Sequence, residues 1–298
     1  MSILTLIIII MLFKVILSVA FVTLLERKWL GSLQRRIGPN VIGYYGILQP
    51  ILDGVKLILK ENIIIKNVFS HIIPSILVFV FGLLIYNFLP HKNIIILNTN
   101  LSLLYIFGIS TLGIYGILLG GYYSNSKYGL LGSLRGISQL ISYEVSIGFV
   151  IISLILITDS LNINEYLYNQ LYISNIWINV YGYILLLICI LAETNRTPFD
   201  LLEAESELVA GFLVEYSSIT FVFYYLAEYT MILVWCYLGS LFYSVNVIIT
   251  LLLFIILRGT LPRLKYNQLI WLGWLLILPL SIIIYLYYYS LYFLFNLQ

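Results

Sequence analysis

Eight runs of about 20 apolar residues each leave this chain few ways to fold, because a run of that length matches the hydrocarbon thickness of a bilayer. They cover about 3–25, 68–89, 101–123, 138–157, 179–195, 217–238, 241–258 and 268–295. Period-two alternation is absent from them, so the spans are helices and not barrel strands. The last run is long enough to tilt or to extend beyond the bilayer. Only 9% of the 298 residues are charged and 62% are hydrophobic, whereas soluble domains carry roughly 25% charge. A soluble fold has too little polar surface to cover this chain. The expected class is an all-α polytopic membrane protein, a single integral membrane domain over 1–298 with about eight transmembrane helices and an amphipathic interfacial helix at about 47–61. The N-terminal run has no basic leader and no small-residue cleavage site, and it reads as a retained first span.

Several function classes drop out. A net charge of +2 gives no reason to expect nucleic acid. Cys189 and Cys236 lie inside apolar runs, as packed thiols do. His71 and His91 are isolated near helix ends and read as interfacial histidines. No Cys/His cluster has metal-ligand spacing and no Gly-rich phosphate loop is present.

The charges that remain are unevenly placed. Arg27, Lys28, Arg35, Arg36, Lys56, Lys60 and Lys66 fall between spans one and two. Lys127, Arg135, Arg196, Arg258, Arg263 and Lys265 fall in the later odd-numbered connections, and only Lys92 in an even one. That split is the positive-inside signature and puts the odd connections on the matrix or cytoplasmic side. The polar segment after span four, with Asp159 and Glu165, reads as a plain surface loop. Lys14 sits inside the first span, where it either snorkels or faces a protein neighbour.

Acidic residues number 13 in all, and Ala192–Glu228 holds Glu193, Asp200, Glu203, Glu205, Glu207, Glu215 and Glu228. Carboxylates at or near a bilayer are costly and tend to be functional. Asp200 stands where it can cap a helix, Glu203 and Glu207 share a helical face, and Glu215 comes two turns after Glu207. Close carboxylates in a low-dielectric setting cannot all ionise, so such a row can pass protons. Glu144, Glu193 and Glu228 are its intramembrane members; a solvated acidic loop is the plainer reading. The first odd connection has irregular, glycine-rich backbone (Gly31, Gly38, Gly43, Gly46) followed by an amphipathic helix with Asp53, Lys56 and Lys60 among its apolar residues. That helix is either a lipid-surface helix or the sill of an opening for an amphipathic molecule.

The stretches LLERKWLGSLQRRIGPNVIGYYGILQPILDGVKLILKE, GSLRGISQLISYEVS, AETNRTPFDLLEAESELVAGFLVEYSS, FYYLAEY and RGTLPRLKYNQL resemble the subunit 1 (H subunit) family of respiratory NADH:ubiquinone oxidoreductase, complex I, over nearly the whole chain. The resemblance implies a non-redox core subunit of a proton-translocating enzyme, with no independent activity and no metal or cofactor of its own. Ubiquinone is the implied substrate, and neighbouring subunits carry FMN and iron–sulfur clusters. Implied partners are the quinone-site subunits of the hydrophilic arm, the small and antiporter-like membrane subunits, and lipid. The implied location is the mitochondrial inner membrane, or the plasma membrane of a bacterium.

By the same resemblance the lower quinone chamber maps to Glu26, Arg27, Arg35, Arg36, Asp53, Lys56, Arg196, Asp200 and Arg263. A proton-coupling chain maps to Glu144, Glu193, Glu203, Glu205, Glu207, Glu215 and Glu228. Departures are Lys265 for a usual arginine, Asn267 for aspartate, Leu275 for a common lysine and Gly136 for a common alanine. The rival readings are the equivalent subunit of a membrane-bound hydrogenase-type ion pump, a standalone proton-coupled transporter and a structural anchor. A transporter of that kind would show an internal repeat, and none is visible. An anchor leaves Glu144, Glu193 and Glu228 unexplained.

Overall fold

A computed structural model describes residues 3–61, 68–90, 99–170, 173–202 and 211–296, and the regular structure in them is helical throughout. Among the described residues five helices are long and apolar enough to cross a membrane, and Phe69–Ile85, Val180–Glu193 and Val247–Thr260 are shorter apolar helices. The molecule is therefore a polytopic helical membrane protein.

Helix α1 (Ile3–Leu33) runs well past the expected end at 25 and takes in Gly31, expected to be irregular backbone, because ERKWLGSL contains no proline and a single glycine is tolerated in a helix. It stops where Arg35 takes a left-handed conformation, φ 57°. The chain then folds back on α1. Gly38 lies so close to it that a Cβ would sit 2.9 Å from Lys28 Cα, and one on Gly46 would collide with the Pro39 carbonyl oxygen. Helix α2 (Gln49–Leu59) opens with Pro50 in its first turn, where a missing N–H costs nothing. Its apolar stripe, Ile51, Leu52, Val55, Ile58 and Leu59, stays exposed.

Helices α3 (Val68–Ile85) and α4 (Ser102–Tyr123) pack as an antiparallel pair. Helix α5 (Lys127–Thr158) is the central post. It starts eleven residues before the expected span at 138, because Ser126 caps it by accepting from Gly129 N at 3.0 Å. Most of the third connection is thus helix. The post touches α4, α8 (Val180–Glu193) and the last helix. Its buried face mixes large apolar residues such as Leu140, Tyr143 and Ile147 with small or polar ones, Gly132, Ser133, Gly136, Gln139, Ser142, Ser146 and Ser153, and the small ones let neighbouring backbones approach closely. Gly136, the departure from alanine, faces Leu202, whose Cδ2 would collide with an added Cβ.

The segment after α5 corrects the surface-loop expectation. It forms α6 (Ile163–Asn169) and α7 (Asn175–Ile178) and docks on the helix ends. Ile163 N donates to Ser102 Oγ, and Gln170 Nε2 donates to the carbonyls of Leu241 and Phe242 at 2.8 and 2.7 Å. Helix α9 (Ser218–Tyr243) and α10 (Val247–Thr260) meet at Ser244–Asn246, not at 239–240. Gly239 and Ser240 are buried inside α9, whereas Ser244 is left-handed and Asn246 caps α10. The final rod is α11 (Tyr266–Trp271), a π-helical turn over Leu272–Ile277, and α12 (Leu278–Asn296). Tyr143 Oη donates to the Leu269 carbonyl at 3.1 Å, and Gly273 lies against the Tyr143 ring.

Candidate functional site

The site forms where α8 ends. Thr194 donates to the Ile190 carbonyl, Asn195 turns left-handed at φ 50°, and a cis Thr197–Pro198 bond follows. Three neighbours pin this turn. Gln139 of α5, fully buried, donates from Nε2 to the carbonyls of Ala192 and Phe199, both at 2.7 Å. Thr197 donates to the Arg258 carbonyl, and Leu264 N donates to the Pro198 carbonyl. The result points Glu193 and Arg196 inward, 8% and 6% exposed.

Around Arg196 the charges alternate. Its Nε lies 3.5 Å from Glu228 Oε1, and its guanidinium stacks 4.5 Å from the Tyr229 ring centre. Tyr229 Oη donates to Glu26 Oε2 at 2.6 Å, and Arg258 closes on Glu26 from α10. Four elements thereby join Glu26, Tyr229, Arg196, Glu228 and Arg258 into one network, with α1 contributing from 203 residues before its tyrosine. An ion pair this far from water stands only if its remaining hydrogen-bonding groups are also met, and the Tyr229 hydroxyl meets that need for Glu26.

A cavity of about 90 Å³ adjoins the network, lined among others by Glu193, Asn195, Glu228, Ser110 and Tyr224. A smaller one of about 20 Å³ lies between Glu26, Arg196, Tyr229 and Arg258. The larger cavity is walled mostly by apolar side chains, and Glu193, Asn195, Glu228, Ser110 and Tyr224 are among the polar groups in it that can bind water. Glu144 on α5 is close enough to Glu193 for their charges to interact. Each keeps one buried carboxyl oxygen, Glu144 Oε1 and Glu193 Oε2, with no hydrogen-bond partner among the described residues. Such oxygens call for a proton or a water.

The structure thus brings together Glu26, Glu144, Glu193, Arg196 and Glu228. Arg27 pairs separately with Asp53 at 2.5 Å, and Gln49 steadies the aspartate at 2.9 Å. Lys28 donates to the Tyr45 carbonyl, while Arg35, Arg36 and Lys56 are exposed and Asp200 and Arg263 partly so. Glu203, Glu205 and Glu207 lie outside the described residues. The expected helix from Glu207 to Glu215 is interrupted, because Gly211, at φ 58°, opens a 3-10 turn and α9 begins only at Ser218. Glu215 instead sits beside His71, which stands in the first turn of α3, 4% exposed and stacked on Tyr216 at 4.3 Å. Sequence reasoning missed Tyr229 and Gln139 as site residues and took Arg258 for a boundary charge; adjacency to Glu228 was the one signal for Tyr229. Among the described residues no group of His, Cys, Asp and Glu is arranged to hold a metal ion.

Long apolar helices around a buried, cavity-linked set of carboxylates and guanidiniums define a polytopic membrane protein with ionisable groups gathered in its interior. The model of a family described as NADH dehydrogenase matches residues 6–289. NADH-ubiquinone oxidoreductase chain 1 of Cyanidium caldarium is 43% identical over 292 residues, which cover 90% of this chain and 85% of that one. The chain 1 protein of Dictyostelium citrinum is 41% identical over 288 residues, 91% and 88% of the two chains. The H subunit of NADH-quinone oxidoreductase from Rickettsia typhi is 43% identical over 295 residues, 90% and 87% of the two. The chain belongs to this NADH dehydrogenase family, that of chain 1 and its bacterial counterpart.

Proposed function

We propose that the chain is a core membrane subunit of a proton-pumping NADH:ubiquinone oxidoreductase, one that admits quinone from the bilayer and passes the charge change of its reduction to a row of carboxylates. It carries no redox centre, and FMN and iron–sulfur clusters belong to its partner subunits. In a eukaryote it resides in the mitochondrial inner membrane with the odd connections toward the matrix. The single observation that carries the reading is the continuous network Glu26–Tyr229–Arg196–Glu228, which ends at the cavity lined by Glu228 and Glu193.

The chemistry follows from electrostatics. A quinone headgroup gains electrons and takes up protons near the basic, irregular segment after α1, close to where Arg27, next in sequence to Glu26, pairs with Asp53 of α2. A charge appearing there changes the balance at Glu26, which two guanidiniums and one hydroxyl now hold. The shift is relayed by Arg196, which exchanges attraction between Glu26 and Glu228. Low dielectric makes each such shift larger than in water. Protons then redistribute among Glu228, Glu193 and Glu144, with Glu203, Glu205, Glu207 and Glu215 supplying the approach. Asp53, Lys56, Arg35, Arg36, Asp200 and Arg263 line the way in.

The test is the assembled complex carrying Glu193→Gln, with assembly confirmed on a native gel and quinone reduction and proton translocation recorded together. Both should fall while NADH oxidation by an artificial acceptor stays normal. Unchanged rates for both would remove the carboxylate row from the mechanism.

A further inference from the structure

Lys14 is a charge the site does not use. It stands in α1 on a face with Ile10, Phe13, Leu17 and Phe21, which are 44%, 66%, 44% and 38% exposed, and it is itself exposed. The opposite face of α1, Val15, Val19, Val22 and Glu26, is buried in the molecule. Among the described residues Lys14 makes no hydrogen bond and no ion pair.

Depth makes this unusual. Glu26 and Arg27 mark one end of the apolar part of α1. At 1.5 Å per residue Lys14 is about 18 Å along the helix from Glu26, in a hydrocarbon layer about 30 Å thick. The other boundary is about 12 Å away, and a lysine stem leaning toward the helix N-terminus covers roughly half of that. Snorkelling therefore leaves the ammonium about a turn inside the hydrocarbon, where a cation needs a partner. Every exposed neighbour on this face is apolar, so nothing on α1 supplies one.

We infer that this face of α1 is an interface for a transmembrane helix of another subunit, which presents a carboxylate at mid-depth to Lys14. Charge complementarity sets the partner's chemistry, an apolar helix with one Asp or Glu facing Lys14. The bulky Phe13, immediately before Lys14, and Phe21, two turns after it, supply the packing that excludes lipid and strengthens the pair. The inference rests on the proposed membership of a multi-subunit complex.

The test uses the complete complex, purified through a tag on a soluble subunit and imaged by cryo-electron microscopy. A carboxylate of another subunit within 4 Å of Lys14 Nζ is expected, the usual limit for an ion pair. A phospholipid phosphate or bare lipid against Lys14 overturns the inference. A second arm uses Lys14→Glu, which should lower recovery of that subunit about tenfold relative to the other membrane subunits. Exchanging the facing acid for lysine should restore it, and unchanged recovery in Lys14→Glu also overturns the inference. If the chain does not co-purify with the other subunits at all, the proposed function fails; if it co-purifies with Lys14 facing lipid, only this inference does.

Discussion

The Tyr229 hydroxyl offers the cleanest single-atom perturbation of the network. Tyr229→Phe deletes one oxygen that donates to Glu26 at 2.6 Å and leaves the ring under Arg196, 4.5 Å away, in place. Packing is conserved, and Glu26 keeps Arg258. A short hydrogen bond to a charged, buried acceptor contributes about 1.5–3 kcal/mol. If that bond holds Glu26 in the geometry that feels the quinone, its loss appears in the barrier. At about 1.4 kcal/mol per factor of ten, quinone reduction slows roughly 10–100-fold. The assay is NADH:quinone reductase turnover of the assembled complex, normalised to NADH oxidation by an artificial acceptor, which should not change. In a Glu26→Gln background the same substitution should add little, because two parts of one interaction are not additive. Reductase turnover within about twofold of the parent, or full additivity with Glu26→Gln, would refute the claim that Tyr229 joins Glu26 to the rest.

Other outcomes follow from the same geometry. Glu228→Gln leaves the buried Arg196 without the carboxylate 3.5 Å from it and should destabilise the fold by about 3 kcal/mol; Arg196→Met with Glu228→Met should recover most of that loss in a thermal melt of the complex. Gln139→Leu removes two 2.7 Å bonds that hold the Glu193 turn, at about 1 kcal/mol each, and should lower thermal stability and proton translocation together. Gly132→Val drives a side chain into the backbone of Phe212, 3.0 Å from an added Cβ; it should cost roughly 1–3 kcal/mol and reduce the assembled yield on a native gel. The exposed Arg27–Asp53 pair should matter little for stability, within about 1 kcal/mol for Asp53→Asn, while the apparent KM for quinone rises.

Membrane class and helical architecture were legible in the sequence because both follow from composition and run length, which tertiary contacts do not alter. Apolar runs of bilayer length have no other way to satisfy their backbone. The acids of Ala192–Glu228 stood out in the sequence because so few acids occur elsewhere. Family membership was legible too, since the quoted stretches carry it residue by residue. Helix limits were less so. Ser126 and Asn246 decide where α5 and α10 begin through capping bonds, and a hydropathy run does not register a cap. The segment after α5 looked like solvent-exposed loop, yet Gln170 and Asn175 anchor it to carbonyls of α9.

Only the tertiary structure decided which charges share a site. Glu26 and Tyr229 are 203 residues apart, and Glu26 and Arg258 are 232 apart. No local spacing encodes such pairs; they exist because α1, α9 and α10 pack side by side. The same packing sets Glu215 beside His71, and Glu193 and Glu228 on the wall of one cavity. Burial, and with it the strength of every electrostatic contact, is a property of the neighbours that fill the space around a side chain. Sequence alone fixes which groups can ionise; where water is excluded from them is settled by how the helices close on one another.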